Sequence, residues 1–313
     1  MKKVLFIILC VLEILWISTV SFEFFLRAIP NDFTRKLHSF EKVKDEVEIL
    51  ILGSSHTYVG LNPTFFDQKT FNLAYSSQSI DLDAKIWDRV KSQLPRLKTI
   101  IIPISYFSYG YALEDGNSAH KIKNYNIYYS IYSHTFQVEN QLEILNQSIQ
   151  RNGQRLNRAS KNTEAFVFVD HNGFNDRRIP KKEIDWEKSA AHAVQNHTQN
   201  LKDDKIKTRI RVHVKLLEEM MQWSAKRGVK ILLISTPVTH FYYSRTNPQQ
   251  LDHWRRTTLH LSTKYKHVEW LNYFENDSIF TTQDFQDADH LNKNGAAKLS
   301  LLVNQFINQS NSL

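Results

Sequence analysis

Short, unbroken apolar runs punctuate the chain, each closed by a polar or glycine-containing loop. Val47–Leu52 is the first in the body, stopping at Gly53-Ser54-Ser55-His56. Phe71–Ala74, Thr99–Ile104, Val229–Ser235 and Val268–Leu271 follow. Runs this short and this apolar read as strands buried on both faces. Between them the period changes to that of helices. Ile80, Ala84, Trp87 and Val90 share one face of a helix over 80–94, and Ile206, Ile210, Val214, Leu217 and Met221 repeat along 205–227, which Gly228 stops. Helices are also predicted over 248–265 and 294–307. Strands alternating with helices imply an α/β fold with a parallel sheet covered on both faces. Reactive loops in such sheets lie beyond the carboxyl ends of the strands.

Two regions depart from this alternation. Residues 107–204 are rich in Asn, Tyr and Ser, with a helix expected over 137–150, and read as a long insertion rather than a bare loop. At the other extreme, Lys2-Lys3 precede an apolar run from Val4 to Phe25, long enough to cross a bilayer as a helix. The run ends in bulky Phe24, Phe25 and Leu26 rather than in a small-residue cleavage site, so an uncleaved signal anchor is the better reading. Positive charge ahead of the run keeps the N-terminus in the cytoplasm and places the body outside. The expected organisation is an anchor over 1–27 and an extracytoplasmic domain over 28–313.

Composition narrows the chemistry. A single cysteine, Cys10, excludes an intrachain disulfide framework and a cysteine-based zinc site. The formal charge of +8 suits an anionic surface without selecting one, and no nucleic-acid motif accompanies the basic run 205–211. Asp170-His171-Asn172-Gly173 reads as a turn rather than a metal site, and His192, His197 and His213 lack ligand-like companions. The tyrosines of 125–132 suit either a carbohydrate platform or packing of the insertion.

The candidate chemistry sits at two strand ends. Ser55 directly follows a buried strand, where a tight turn exposes its hydroxyl. Asp287 stands three residues before His290, so one loop supplies a base and the group that orients it. Asp289 is the rival orienter, expected to project away from the imidazole, and His56 is expected to face solvent.

These blocks resemble the SGNH/GDSL hydrolase superfamily, in particular its membrane-anchored bacterial branch associated with O-acylation of surface polysaccharides. Gly53-Ser54-Ser55 matches the Gly-Asp-Ser block, Asp287 and His290 match Asp-x-x-His, and Asn72 to Ser77 matches Asn-x-x-x-x-Gly with serine in place of glycine. The Gly-x-Asn block is absent after Ile104, where Ser105 and Tyr106 stand. The resemblance implies a three-layer αβα, flavodoxin-like sheet with Ser55, His290 and Asp287 catalytic. It implies backbone oxyanion donors at Ser55 and Ser77, with Ser54, His56 and Asn72 as supporting or substrate residues. The implied activity is O-acetyl transfer to a surface glycan at the cytoplasmic membrane, with a polytopic membrane acyltransferase as partner and no metal or cofactor. A carbohydrate esterase and a non-catalytic polysaccharide-binding or assembly component are the alternatives.

Overall fold

The computed structural model describes residues 1–132, 136–176 and 183–311. The chain divides into two compact units, one of residues 1–35 with 119–167 and the other of 36–118 with 168–313.

The larger unit is built on five parallel strands, β1 (Ile49–Ile51), β2 (Thr70–Asn72), β3 (Thr99–Pro103), β4 (Lys230–Ser235) and β5 (Val268–Asn272), in the order β2-β1-β3-β4-β5. This is a doubly wound order, with a switch point where the chain leaves β1. Every residue of β1, β2 and β3 is buried, as expected for strands covered on both faces. Ile49, Ile51, Ile101, Leu232 and Ile234 point to one face and pack with Leu299, Val303 and Ile307 of the C-terminal helix. The expected helices form over Ile80–Val90, Asp204–Arg227, Pro248–Lys264 and Lys293–Asn311.

In chain order the helices are α1 (Lys2–Arg27), α2 (Asp32–Val43), α3 (Ser55–Tyr58), α4 (Ile80–Val90), α5 (Ile122–Tyr129), α6 (Glu143–Asn146), α7 (Ile149–Lys161), α8 (Trp186–His197), α9 (Asp204–Arg227), α10 (His240–Tyr243), α11 (Pro248–Lys264) and α12 (Lys293–Asn311). Trp87 of α4 meets Trp223 of α9 edge to face, which ties those two helices together.

The smaller unit contains α1, which is long and apolar enough to cross a membrane and buries none of that span against protein. It also holds α5, α6 and α7. The single helix expected over 137–150 is instead a 3₁₀ turn at Val138–Asn140, then α6, then the start of α7. Glu143 explains the break. It is buried where it receives Lys123 at 2.6 Å and Arg155 at 2.9 Å, an arrangement a straight helix facing solvent would not make. Tyr125 and Tyr129 pack edge to face on Phe33, which favours the packing role for that tyrosine cluster.

Candidate active site

The turn that carries Ser55 is shaped by steric necessity. Gly53 has φ +111°, and a Cβ there would lie 1.9 Å from Pro103 Cγ at the end of β3. Only glycine lets the chain leave β1 so sharply. Ser54 then caps α3, its hydroxyl accepting from the His56 N–H at 3.4 Å, and Ser55 opens the helix. The Gly53 N–H donates to Asp83 Oδ1 at 2.7 Å, the Gly53 carbonyl accepts from Tyr75 N–H at 3.0 Å, and the Thr57 hydroxyl donates to the Leu52 carbonyl at 2.7 Å. The turn is therefore held from three sides.

His290 and Asp287 share a loop braced at both ends. Thr239 donates twice to the Ala288 carbonyl, through its N–H at 2.9 Å and its hydroxyl at 2.8 Å. Asn292 closes the loop. Its Oδ1 accepts from the N–H groups of Asn294 and Gly295, starting α12, while its Nδ2 donates to the Gln283 and Phe285 carbonyls. Gly295 permits the close approach, since a Cβ there would meet the Asp284 carbonyl oxygen at 2.2 Å.

These two loops bring the three residues together. His290 Nε2 lies 2.7 Å from Ser55 Oγ, and His290 Nδ1 lies 2.8 Å from Asp287 Oδ1. Asp287 Oδ1 also accepts from the His290 backbone N–H at 2.8 Å, which fixes both ring and carboxylate. Asp289, expected to turn away, sits with Oδ1 3.5 Å from the same ring nitrogen. Burial pulls the His290 pKa down, but the Asp289 and Asp287 carboxylates outweigh it and hold the imidazole above the ordinary histidine range.

A second network lies behind the first, unannounced by the sequence. His56 does not face solvent. It is buried, with Nδ1 2.6 Å from Ser105 Oγ and Nε2 3.3 Å from Asp289 Oδ2. His197, at the end of α8, stacks on Phe107 at 4.0 Å and receives the Tyr242 hydroxyl at 2.8 Å. Burial pushes His197 down to about 4, against the attraction of Asp289, so it is neutral. Burial pushes the Asp289 carboxyl upward, but the charge and hydrogen bond of His290, with the hydrogen bond of His56, bring it well below its usual range. Donor atoms of His56, Asp289 and His290 fall within 4.8 Å of one another, the spacing of a metal site, yet here they bond to each other and to Asp287. His213, buried on α9, bonds the Tyr109 carbonyl at 2.9 Å.

Asn72 and Ser77 take distinct places. Asn72 is fully buried. It donates to the Thr57 and Leu61 carbonyls and accepts from Ala74 N–H, joining α3 to the loop after β2. Ser77 stands where the family pattern has glycine, and its φ is +67°, a conformation costly for a side chain. It lines a cleft of about 460 Å³ together with Ser55, Tyr111, Asn117, Gln195 and Arg209. A second cleft, of about 580 Å³, opens on the His290 side between α8 and Asp287. Lys36 of α2 is fully buried, its ammonium 4.7 Å above the Tyr58 ring, 4.2 Å above the Tyr75 ring, and bonded to the Ala74 carbonyl. It thus joins α3 to the loop that carries Ser77.

No protein-family model matches the chain, and no curated protein matches it significantly. Among solved structures, a GDSL-like lipase from Bacteroides thetaiotaomicron aligns over 90% of this chain and all of its own, at 12% identity and TM-score 0.41. A protein provisionally named an acylhydrolase, from Bacteroides fragilis, aligns over 85% of this chain and 89% of its own, at 10% identity and TM-score 0.41.

Proposed function

We propose that the larger unit cleaves or transfers acyl esters through a Ser55–His290–Asp287 triad. The observation that carries this reading is the unbroken chain of contacts from Ser55 Oγ through His290 to Asp287, at 2.7 and 2.8 Å. His290 accepts the Ser55 proton as the hydroxyl attacks the ester carbonyl, and Asp287 steadies the resulting imidazolium. Ser55 opens α3, so its N–H has no preceding helical carbonyl to bond, and in this reading it donates to the oxyanion. Ser77 N–H is the second donor in this reading, which gives its strained backbone a purpose.

The imidazolium then returns that proton to the departing alcohol oxygen as its ester bond breaks, leaving the acyl group on Ser55 and His290 neutral. A second hydroxyl approaching His290 gives it a proton and attacks the acyl carbonyl, and the proton passes back to Ser55 Oγ as the acyl–serine bond breaks. One cleft is lined by Ser55 and the other by His290 and Asp287, which gives room for the acyl and alcohol parts of an ester in hydrolysis and transfer alike. The resemblance of the end blocks to the anchored SGNH branch supports a small acyl group, a glycan acceptor and a body outside the cytoplasmic membrane, with α1 as anchor. A fluorophosphonate probe on the full-length protein tests the serine mechanism. Mass spectrometry should find the adduct on Ser55 alone, and labelling elsewhere with Ser55 unmodified would reject the triad.

A further inference from the structure

The smaller unit fastens a particular segment to the end of α1. Glu23, in the last turns of that helix, accepts the backbone N–H groups of Glu143 at 3.0 Å and Ile144 at 2.8 Å. Arg27, one turn later, bonds Glu23 at 2.6 Å and donates to the Gln141 carbonyl at 2.8 Å. The 141–144 turn is therefore pinned at the height of Glu23. That height follows from the helix rise. Twenty residues separate Lys3 from Glu23, which at 1.5 Å each is about 30 Å, the thickness of a bilayer's hydrocarbon core. With Lys3 at one boundary, Glu23 lies at the other.

Around this pinned turn the chain exposes large apolar side chains. Phe136 and Ile149 are each 75% exposed, Val138 51% and Leu145 48%, and none is more than five residues from a residue bonded to α1. Four such groups are costly in water and favourable at a lipid interface. The following helix, α7, carries exposed Arg151, Arg158 and Lys161, which suit anionic headgroups.

We infer that the segment around 136–149 is a membrane-interfacial surface, with Phe136, Val138, Leu145 and Ile149 inserted in the outer leaflet of the same bilayer that α1 spans. The inference rests on α1 being a spanning anchor. Its occupant is lipid, because the Glu23 and Arg27 bonds hold this segment where the helix leaves the hydrocarbon.

The test uses the full chain in phosphatidylglycerol-containing vesicles, with Cys10→Ser as background and an environment-sensitive fluorophore on one introduced cysteine. Phe136→Cys and Ile149→Cys are the main sites, with Val138→Cys and Leu145→Cys as independent replicates. Leu15→Cys reports the anchor, and Asp204→Cys, at an exposed position on α9, is the solvated reference. Labels at 136 and 149 should be quenched by lipids spin-labelled near the headgroup and shielded from aqueous iodide about threefold relative to position 204. Iodide access equal to that at position 204 would overturn the surface. Shielding from both quenchers would also overturn it, by showing a protein partner or second copy in place of lipid. If position 15 is quenched by deep lipid labels while 136 and 149 are not, the anchor stands and only the surface falls. Absence of lipid quenching at position 15 would remove both.

Discussion

The meeting of Ser55, His290 and Asp287 is legible in the sequence because each belongs to a tight local motif at the end of a strand. That of their neighbours is not. Ser105 comes 49 residues after His56 and Asp289 233 residues after it, so no spacing announces that these groups meet in the interior. The triad makes an ordered prediction. Ser55→Ala should reduce ester turnover by several orders of magnitude with melting nearly unchanged, since it removes one hydroxyl from a turn. Asp287→Asn should be less severe, and Ser54→Ala mild. The buried carboxylates make another. His290 must be neutral to act as base, and its pKa is held above the ordinary 6.5 by Asp289 and Asp287. The acid limb of kcat/KM should therefore have its midpoint above 6.5. Asp289→Asn removes one of the two charges, so the limb should move to lower pH. A profile unmoved by Asp289→Asn would show that this carboxylate does not govern the base.

At the scale of elements, the strand–loop–helix alternation was plain because buried parallel strands have an unbroken apolar signature. The region between β3 and α9 carried no comparable period. There the short helices are set by buried polar groups such as Glu143 and Asn152, whose partners lie elsewhere in the smaller unit. Gly53 shows how narrowly one element constrains the next. Gly53→Ala places a Cβ into the Pro103 ring at a positive φ, and should cost at least about 3 kcal/mol or prevent folding. Chemical denaturation beside Gly153→Ala, where a Cβ meets nothing within 4 Å, checks that the effect belongs to the turn and not to loss of glycine in general.

For the larger unit as a whole, one buried acid links stability to pH. Burial pushes Asp83 up to about 7, against the Gln78 and Gly53 donors, and nearby Asp81 adds to the rise. Its unfolded value is near 3.9. A folded pKa above the unfolded one stabilises the fold fully below about pH 4 and loses that contribution as pH climbs through 7. Asp83→Asn removes this titration. The stability of the native chain relative to the variant should therefore decline between pH 5 and 8 by about 2 kcal/mol, read from urea unfolding at each pH. An unchanged difference would show that Asp83 does not titrate in that window.

The separation along the chain of Ser55 and His290, the proposed nucleophile and base, has a consequence in time. Ser55 and His290 are 235 residues apart. At roughly 5–20 residues per second of synthesis, the serine emerges on the order of ten to fifty seconds before its histidine exists. During that interval Ser55 is an ordinary hydroxyl with an ordinary alcohol's reluctance to react. On the proposed mechanism, reactivity toward esters is acquired only when the loop between β5 and α12 folds back on α3.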